Sequence, residues 1–225
     1  LLLRSYVLGN DSAHYDGVIR ALEARGLKVL PAFASGLDQR PAIERYFLGE
    51  GKPSIDVLIS LTGFSLVGGP AYNDARAAED ILAKLDVPYI AAHPLEFQSL
   101  QHWGAGTSGL TPVEATMMVA IPELDGATGP MIFGGRSDGS AEPCRGCSRA
   151  CQHPASGLVR EMLPCPERAE ALARRVDNMV TLRRTPTAER RIAIALFNYP
   201  PNSGAVGTAA FLSVFESLYE TLKGL

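Results

Sequence analysis

The chain has no cysteine outside one short stretch, no strong excess of either charge and no apolar run of the length a membrane span requires. Each absence excludes something. A formal net charge of −3 over 225 residues, of which 20% are charged, leaves no basic footprint for nucleic acid or for an anionic membrane. The uncharged run 57–73 is interrupted by Gly63, Gly68, Gly69 and Pro70, so it is not a spanning helix. No signal peptide is visible, which points to a cytoplasmic protein. Phosphate-binding loops are missing as well. Gly68-Gly69-Pro70 lacks the G-x-G-x-x-G order, and Ser203-Gly204-Ala205-Val206-Gly207 lacks the Lys-Ser/Thr of a P-loop, which argues against ATP hydrolysis by this chain. The sequence opens Leu-Leu-Leu-Arg without methionine and closes Leu-Lys-Gly-Leu, the expectation being an internal piece of a longer polypeptide.

All cysteines fall in one cluster, Cys144, Cys147, Cys151 and Cys165, spaced C-x2-C-x3-C-x13-C. Four thiolates at such spacing suit a tetrahedral zinc or a [4Fe–4S] cluster. Two disulfides, idle thiols or a Cys-x-x-Cys redox pair are the alternatives, and a cytosolic setting disfavours the disulfides. His153 lies in the same stretch and is a substitute ligand.

Strand-like and helix-like segments alternate from the start. Strands are expected at Arg4–Leu8, Leu27–Phe33, Ile55–Leu61 and Pro88–Ala92, and helices at Tyr15–Arg25, Gln39–Leu48 and Asp74–Leu85. This β-α-β-α-β-α-β order predicts an α/β fold, an open parallel sheet of flavodoxin or Rossmann type with helices on both faces. Beyond it, Leu95–Trp103 and Pro112–Ala120 look helical and Met131–Phe133 is a short strand. Four parts follow: an α/β domain over 1–133, a Cys-rich loop over 134–165, a connecting helix over 166–189, and a βα unit over 190–225. The last contains a strand at Arg191–Phe197, a Tyr199–Gly204 loop and a helix at Val206–Leu222. Outside the apolar stripe of the connecting helix stand Arg168, Arg174, Arg175, Arg183 and Arg184, most simply a solvated face, otherwise a patch for an acidic partner or a carboxylate ligand.

Parallel sheets bind ligands beyond the carboxyl ends of their strands. Four loops qualify: Gly9–His14, Ala34–Asp38, Thr62–Asp74 and Ala92–Phe97. In the third, glycines permit close backbone approach while Phe64, Leu66 and Val67 offer apolar surface; a self-packed structural turn is the alternative. Titratable groups at these ends are His14 and Asp16, His93 and Glu96, and the pair Glu123 and Asp125 in Pro-Glu-Leu-Asp-Gly. Such groups serve as proton acceptors or hard-metal ligands, or simply as caps and turn residues, as Asp74 would at a helix start and Asp125-Gly126 at a turn.

Four strings are specific in order and spacing: Ser60-Leu61-Thr62-Gly63-Phe64-Ser65-Leu66-Val67-Gly68-Gly69-Pro70, Leu85-Asp86-Val87-Pro88-Tyr89-Ile90, Pro122-Glu123-Leu124-Asp125-Gly126, and the run 200–210 beginning Pro-Pro-Asn-Ser-Gly. Together they resemble the large porphyrin-binding subunits of magnesium chelatase, a family related to the large subunit of aerobic cobaltochelatase. The cysteine loop departs from the plant-like pattern and is similar to the version in photosynthetic proteobacteria. The resemblance implies a chain that holds protoporphyrin IX while Mg2+ is inserted, in chlorophyll or bacteriochlorophyll synthesis, with ATP hydrolysed by separate AAA+ subunits, I and D. It implies Glu123 as first candidate for proton acceptor or Mg2+ guide, followed by Asp125, His93 and Glu96. Phe64, Leu66, Val67, Gly68 and Gly69 would form part of a slot for the macrocycle, and Arg136 would meet its propionates. The cysteines would carry a [4Fe–4S] cluster, or zinc. The rival reading is a non-catalytic redox or oxygen-sensing module built around the thiolate site.

Overall fold

The computed structural model describes residues 1–69, 71–153, 160–198, 207 and 212–225. Helices α1 (Arg4–Leu8), α2 (Ala13–Glu23) and α3 (Arg40–Tyr46) come first. The hairpin β1 (Leu48–Gly49) and β2 (Lys52–Pro53), strand β3 (Leu58–Ser60), and the hairpin β4 (Gly68–Gly69) and β5 (Tyr72–Asn73) follow. Next are α4 (Ala75–Leu85), β6 (Tyr89–Leu95) and α5 (Leu100–Ala105). One helical stretch then runs through α6 (Pro112–Glu114), a π-helix (Ala115–Ala120) and α7 (Ile121–Leu124). Strands β7 (Met131–Arg136) and β8 (Met162–Pro164), then α8 (Pro166–Arg184), complete the larger compact unit, Leu1–Arg184. The smaller unit, Thr185–Leu225, holds a 3-10 turn and α9 (Val214–Gly224).

The central sheet has the order β3-β6-β7-β8. The first three strands are parallel, and β8 closes the edge antiparallel to β7. Every residue of β6 is buried, as a strand covered on both faces must be. On one face Ile90, Ala92, Phe133 and Met162 pack against α2 and α8, through residues such as Val18, Leu22, Leu172 and Val176. On the other, Leu58, Tyr89 and Ala91 pack against Ile43 of α3 and Ala78, Ile81 and Leu85 of α4. The α/β class, the parallel core and the helices on both faces agree with the sequence expectation.

Three expected strands do not form. Residues 4–8 make the short helix α1, because the extended pairing is taken by the apolar residues before them: Leu2 N–H donates to Ala32 O and Leu61 N–H to Leu1 O, each at 2.9 Å. The stretch 27–33 joins no ladder, and Pro31 within it has no N–H to give one. In the smaller unit, 191–197 lies in no strand, and the described part of the expected helix is α9, Val214–Gly224; residues 206 and 208–211 of that expectation lie outside the described residues. The expected loop 199–204 lies outside the described residues.

Arginines on α8 fasten neighbouring segments. Arg175 donates to Gly129 O at 2.7 Å, Arg184 pairs with Asp56 at 2.7 Å, and Arg168 stacks over Trp103 at 5.6 Å.

Candidate functional site

The carboxyl ends of β3, β6 and β7 open onto the loops after Ser60, Leu95 and Arg136. Asp125, at the end of α7, organises the first of these loops. Its carboxylate accepts from Ser65 Oγ at 2.5 Å and Leu66 N at 2.7 Å, and from Asn73 Nδ2 at 3.4 Å. Asn73 also donates to Ser65 Oγ at 2.9 Å, so the 62–74 loop is wrapped around a buried carboxylate. Asp125 is therefore far more than a turn residue: all its visible partners hold the loop shape. Asp74 does act as the cap foreseen for it, accepting from Ala77 N at 3.0 Å.

The loop after β6 is held from the opposite end of the same helical stretch. Glu114 is fully buried and accepts from Gln98 Nε2 at 2.6 Å, Gln98 N at 3.4 Å, Thr111 N at 2.9 Å and Thr111 Oγ1 at 2.8 Å. Sequence reading missed Glu114, although Thr111-Pro112-Val113-Glu114 carries the capping-box signature that would have flagged it. Between the two carboxylates lies the π-helix, whose only buried residue is Met118. Glu123 stands exposed on α7, two residues before Asp125.

The other candidates sit on or near the sheet. His93 is buried in β6 with neither ring nitrogen hydrogen-bonded, and burial lowers its pKa to about 4. It is therefore a neutral imidazole. Glu96 is half-buried and faces the Tyr6 phenol, whose pKa is raised first by burial and then by that carboxylate. Arg136 donates to Tyr6 Oη at 3.4 Å and to Arg160 O at 3.1 Å. Tyr6 and Arg136 thus meet beside Glu96, a grouping invisible in sequence because 130 positions separate them. Beneath them His14 is sealed among aromatic rings, 3.8 Å from Tyr15 and 5.8 Å from Phe133 between centroids. Burial, then the Arg136 charge, lowers its pKa to about 3.

The apolar slot candidates divide. Leu66 and Val67 are core residues packed with α3 and α4, whereas Phe64 is half-buried. Gly68 and Gly69 line an open recess of about 360 Å3 together with Leu37, Ala71 and Tyr72, with Arg40 and Asp38 ion-paired at 2.7 Å on its rim. Gly68 has φ +132°, and a Cβ there would stand 2.1 Å from Tyr72 O, so the hairpin turn depends on glycine. The recess lies at the low end of ordinary ligand pockets, which run from about 300 to 1,000 Å3.

Cys144, Cys147, Cys151 and Cys165 line one small recess, with His153 and Trp103 beside them. All four are free thiols of intermediate exposure. Cys144 N–H donates to Cys151 O at 2.9 Å, folding the C-x2-C-x3-C turn back on itself. Gly104 of α5 meets Gly146 with no room for side chains: a Cβ on Gly104 would lie 2.9 Å from Gly146 Cα and 3.2 Å from Cys144 Sγ. Burial first, then the neighbouring thiolates, raises the pKa of Cys151; burial first, then the Glu167 carboxylate and the thiolates, raises that of Cys165. Among the described residues no three His, Cys, Asp or Glu side chains are close enough to hold a metal ion as they stand.

A family model described as CobN/Magnesium Chelatase matches residues 1–225. The chain belongs to the CobN/magnesium chelatase family. Within it, the chain is 56% identical over 226 residues to the magnesium-chelatase H subunit of Cereibacter sphaeroides, covering 100% of this chain and 19% of that protein. Identity to the H subunit of Rhodobacter capsulatus is 55%, covering 100% and 18%. Identity to the chloroplastic ChlH subunit of Oryza sativa subsp. indica is 42%, covering 100% and 15%. The chain thus spans under a fifth of the length of these family members. The catalytic subunit of cobaltochelatase from Mycobacterium tuberculosis shares the fold, with TM-score 0.70 and 22% identity over 99% of this chain and 17% of that one.

Proposed function

We propose that this chain is a segment of the porphyrin-binding subunit of a magnesium chelatase, which inserts Mg2+ into protoporphyrin IX in chlorophyll or bacteriochlorophyll synthesis. The observation that carries the proposal is the 56% identity to a magnesium-chelatase H subunit along the whole chain. Insertion exchanges two pyrrole N–H protons for one Mg2+, so the site must accept protons and help a strongly hydrated cation shed water. Exposed Glu123 is the first proton acceptor or Mg2+ guide, followed by half-buried Glu96 at the carboxyl end of β6. Neutral His93 contributes to the same edge from within the sheet, and Asp125 holds its loop. Phe64, with the turn Gly68-Gly69, supplies part of the apolar slot, while Leu66 and Val67 support that wall from the core. Arg136 would meet a propionate.

The proposal extends to partners and location. Lacking a P-loop, the chain relies on AAA+ subunits of type I and D for ATP hydrolysis. It acts in the cytoplasm as part of a longer polypeptide of the H type; among the described residues no helix is long and apolar enough to cross a membrane. Cys144, Cys147, Cys151 and Cys165 would hold a [4Fe–4S] cluster, whose soft iron suits thiolates and whose breadth suits four sulfurs around a recess rather than three in contact with one ion. Zinc is the alternative. Mg2+ prefers oxygen and would not be handled there.

Convergence of four thiols on one recess favours a second reading, a non-catalytic redox or oxygen-sensing module. One experiment separates them. Full-length protein is purified without oxygen, analysed for iron, sulfide and zinc, and assayed for chelation with its ATP-hydrolysing partners, as wild type and as Glu123→Gln. The proposal expects wild-type chelation and a loss of about 100-fold in the variant. Unchanged turnover in Glu123→Gln removes that residue's role, and iron without any chelation by the wild type favours the sensor.

A further inference from the structure

The helical stretch 112–124 is anchored at both ends by buried carboxylates, and each grips a different loop at the carboxyl edge of the sheet. Glu114 holds the turn after β6 through both the side chain and the backbone N–H of Gln98. Asp125 holds the loop after β3 through Ser65, Leu66 and Asn73. Both carboxylates are at most 1% exposed. The two accessible candidate proton acceptors are close neighbours of these anchors in the chain: Glu96 precedes Gln98 by two residues, and Glu123 precedes Asp125 by two.

We propose that Glu114 and Asp125 are positioning residues which, through this crossbar, hold Glu96 and Glu123 in fixed relation above the carboxyl edge. The proposal rests on the chelatase reading for its functional consequence. The π-helix at Ala115–Ala120 gives the arrangement its sensitivity. A six-residue π segment turns less per residue than an α-helix, so relaxing it to α geometry would rotate everything beyond it by roughly 100°. Met118 alone buries its side chain from that segment, and its methyl lies 3.9 Å from where a Cβ on Gly63 would be. With so little packing along its middle, the crossbar keeps its register through its ends. Removing either clamp lets the π turn relax and changes the position of Glu123 relative to Glu96. Binding of the macrocycle, which depends on the apolar slot, is affected far less.

The test uses the full-length protein with its ATP-hydrolysing partners, as Glu114→Gln, Asp125→Asn and the double variant, with Gln98→Ala as a milder release of the first clamp. Porphyrin affinity by fluorescence quenching, chelation turnover and amide hydrogen exchange are measured together. Each single variant is expected to lose about tenfold in turnover with affinity changed less than about threefold, and the double variant to lose little more than the worse single one, because both act on one unit. Exchange provides the readout that a local structural role would not move. Asp125→Asn is expected to speed exchange at Gln98 as well as Leu66, and Glu114→Gln to speed it at Leu66 as well as Gln98. Additive losses, or exchange changes confined to the loop whose own clamp was altered, would overturn the proposal. If the wild type neither binds porphyrin nor chelates, the functional reading fails, while the exchange measurement still decides whether the crossbar couples the two loops.

Discussion

The carboxyl edge of the sheet and the cysteine recess hold the chain's two sets of reactive side chains, and they are built on opposite terms. At the edge, Glu114 and Asp125 are buried and saturated with donors, and His14 and His93 are buried with none. Shape there is fixed by polar groups that cannot leave without cost. In the recess, three partly exposed thiols are carried on a turn and the fourth, Cys165, sits at the start of α8; the turn closes through the Cys144–Cys151 and Ala150–Cys147 backbone bonds, a glycine-on-glycine contact and the surface Arg149–Glu170 pair. These contacts lie at the surface, where ion pairs and turns are held less firmly than the buried, fully bonded carboxylates of the edge. A rigid edge suits proton transfer and metal guidance, where angular error is expensive in rate; a pliant thiol turn suits a cofactor that imposes its own geometry.

Acid provides the largest expected break in this comparison. Both edge histidines have folded pKa values below their unfolded value near 6.5, so the stability they contribute is complete above that pH. It is lost as pH falls toward about 4 for His93 and about 3 for His14. Unfolding in that window takes up as many as two protons, a slope approaching roughly 2.7 kcal/mol per pH unit. Urea titrations at pH 7, 6 and 5 should show it, and a His14→Phe, His93→Phe chain should lose most of the slope. A slope that survives both substitutions would assign acid sensitivity elsewhere.

Next in size is Asp125→Ala. It leaves Ser65 Oγ and Leu66 N–H buried without an acceptor and should cost about 3 kcal/mol, with Asp125→Asn recovering more than half. Denaturation midpoints of the two variants measure this directly; equal, small losses would mean that the 62–74 loop holds its shape without the carboxylate.

The smallest effect belongs to the recess. Cys147→Ser should shift the stability of cofactor-free protein by no more than about 0.5 kcal/mol, while lowering iron or zinc retained after anaerobic purification. Loss of stability comparable to that of Asp125→Ala would mean that the thiol turn is as tightly specified as the edge, and the contrast between the two regions would fail.

Much of this is legible in the residues, for reasons that can be named. The helix at Asp74–Leu85 is readable because its cap and its apolar spacing agree, and the helix from Pro166 to Arg184 because its apolar stripe is continuous. The run 4–8 misleads: its alternation suits a strand, yet the adjoining leucines take the pairing positions first. Glu123 and Asp125 stand out in one motif but land in opposite settings, one exposed and one buried, since neighbouring helical residues face different ways. Glu114 carries a local signal, the capping box with Thr111, but its hold on Gln98 and the meeting of Tyr6 with Arg136 are made by the fold.

By itself, the sequence determined what depends on local spacing: the α/β alternation, the glycine turn at 68–69, the single cysteine cluster and the missing phosphate loop. Only the tertiary structure decided which carboxylates are anchors and which are free. That distinction depends on who donates to them: Gln98 to Glu114, and Ser65, Leu66 and Asn73 to Asp125. Two of those donors lie about sixty residues from their acceptor, a separation that no local pattern encodes and that only packing against one sheet brings together.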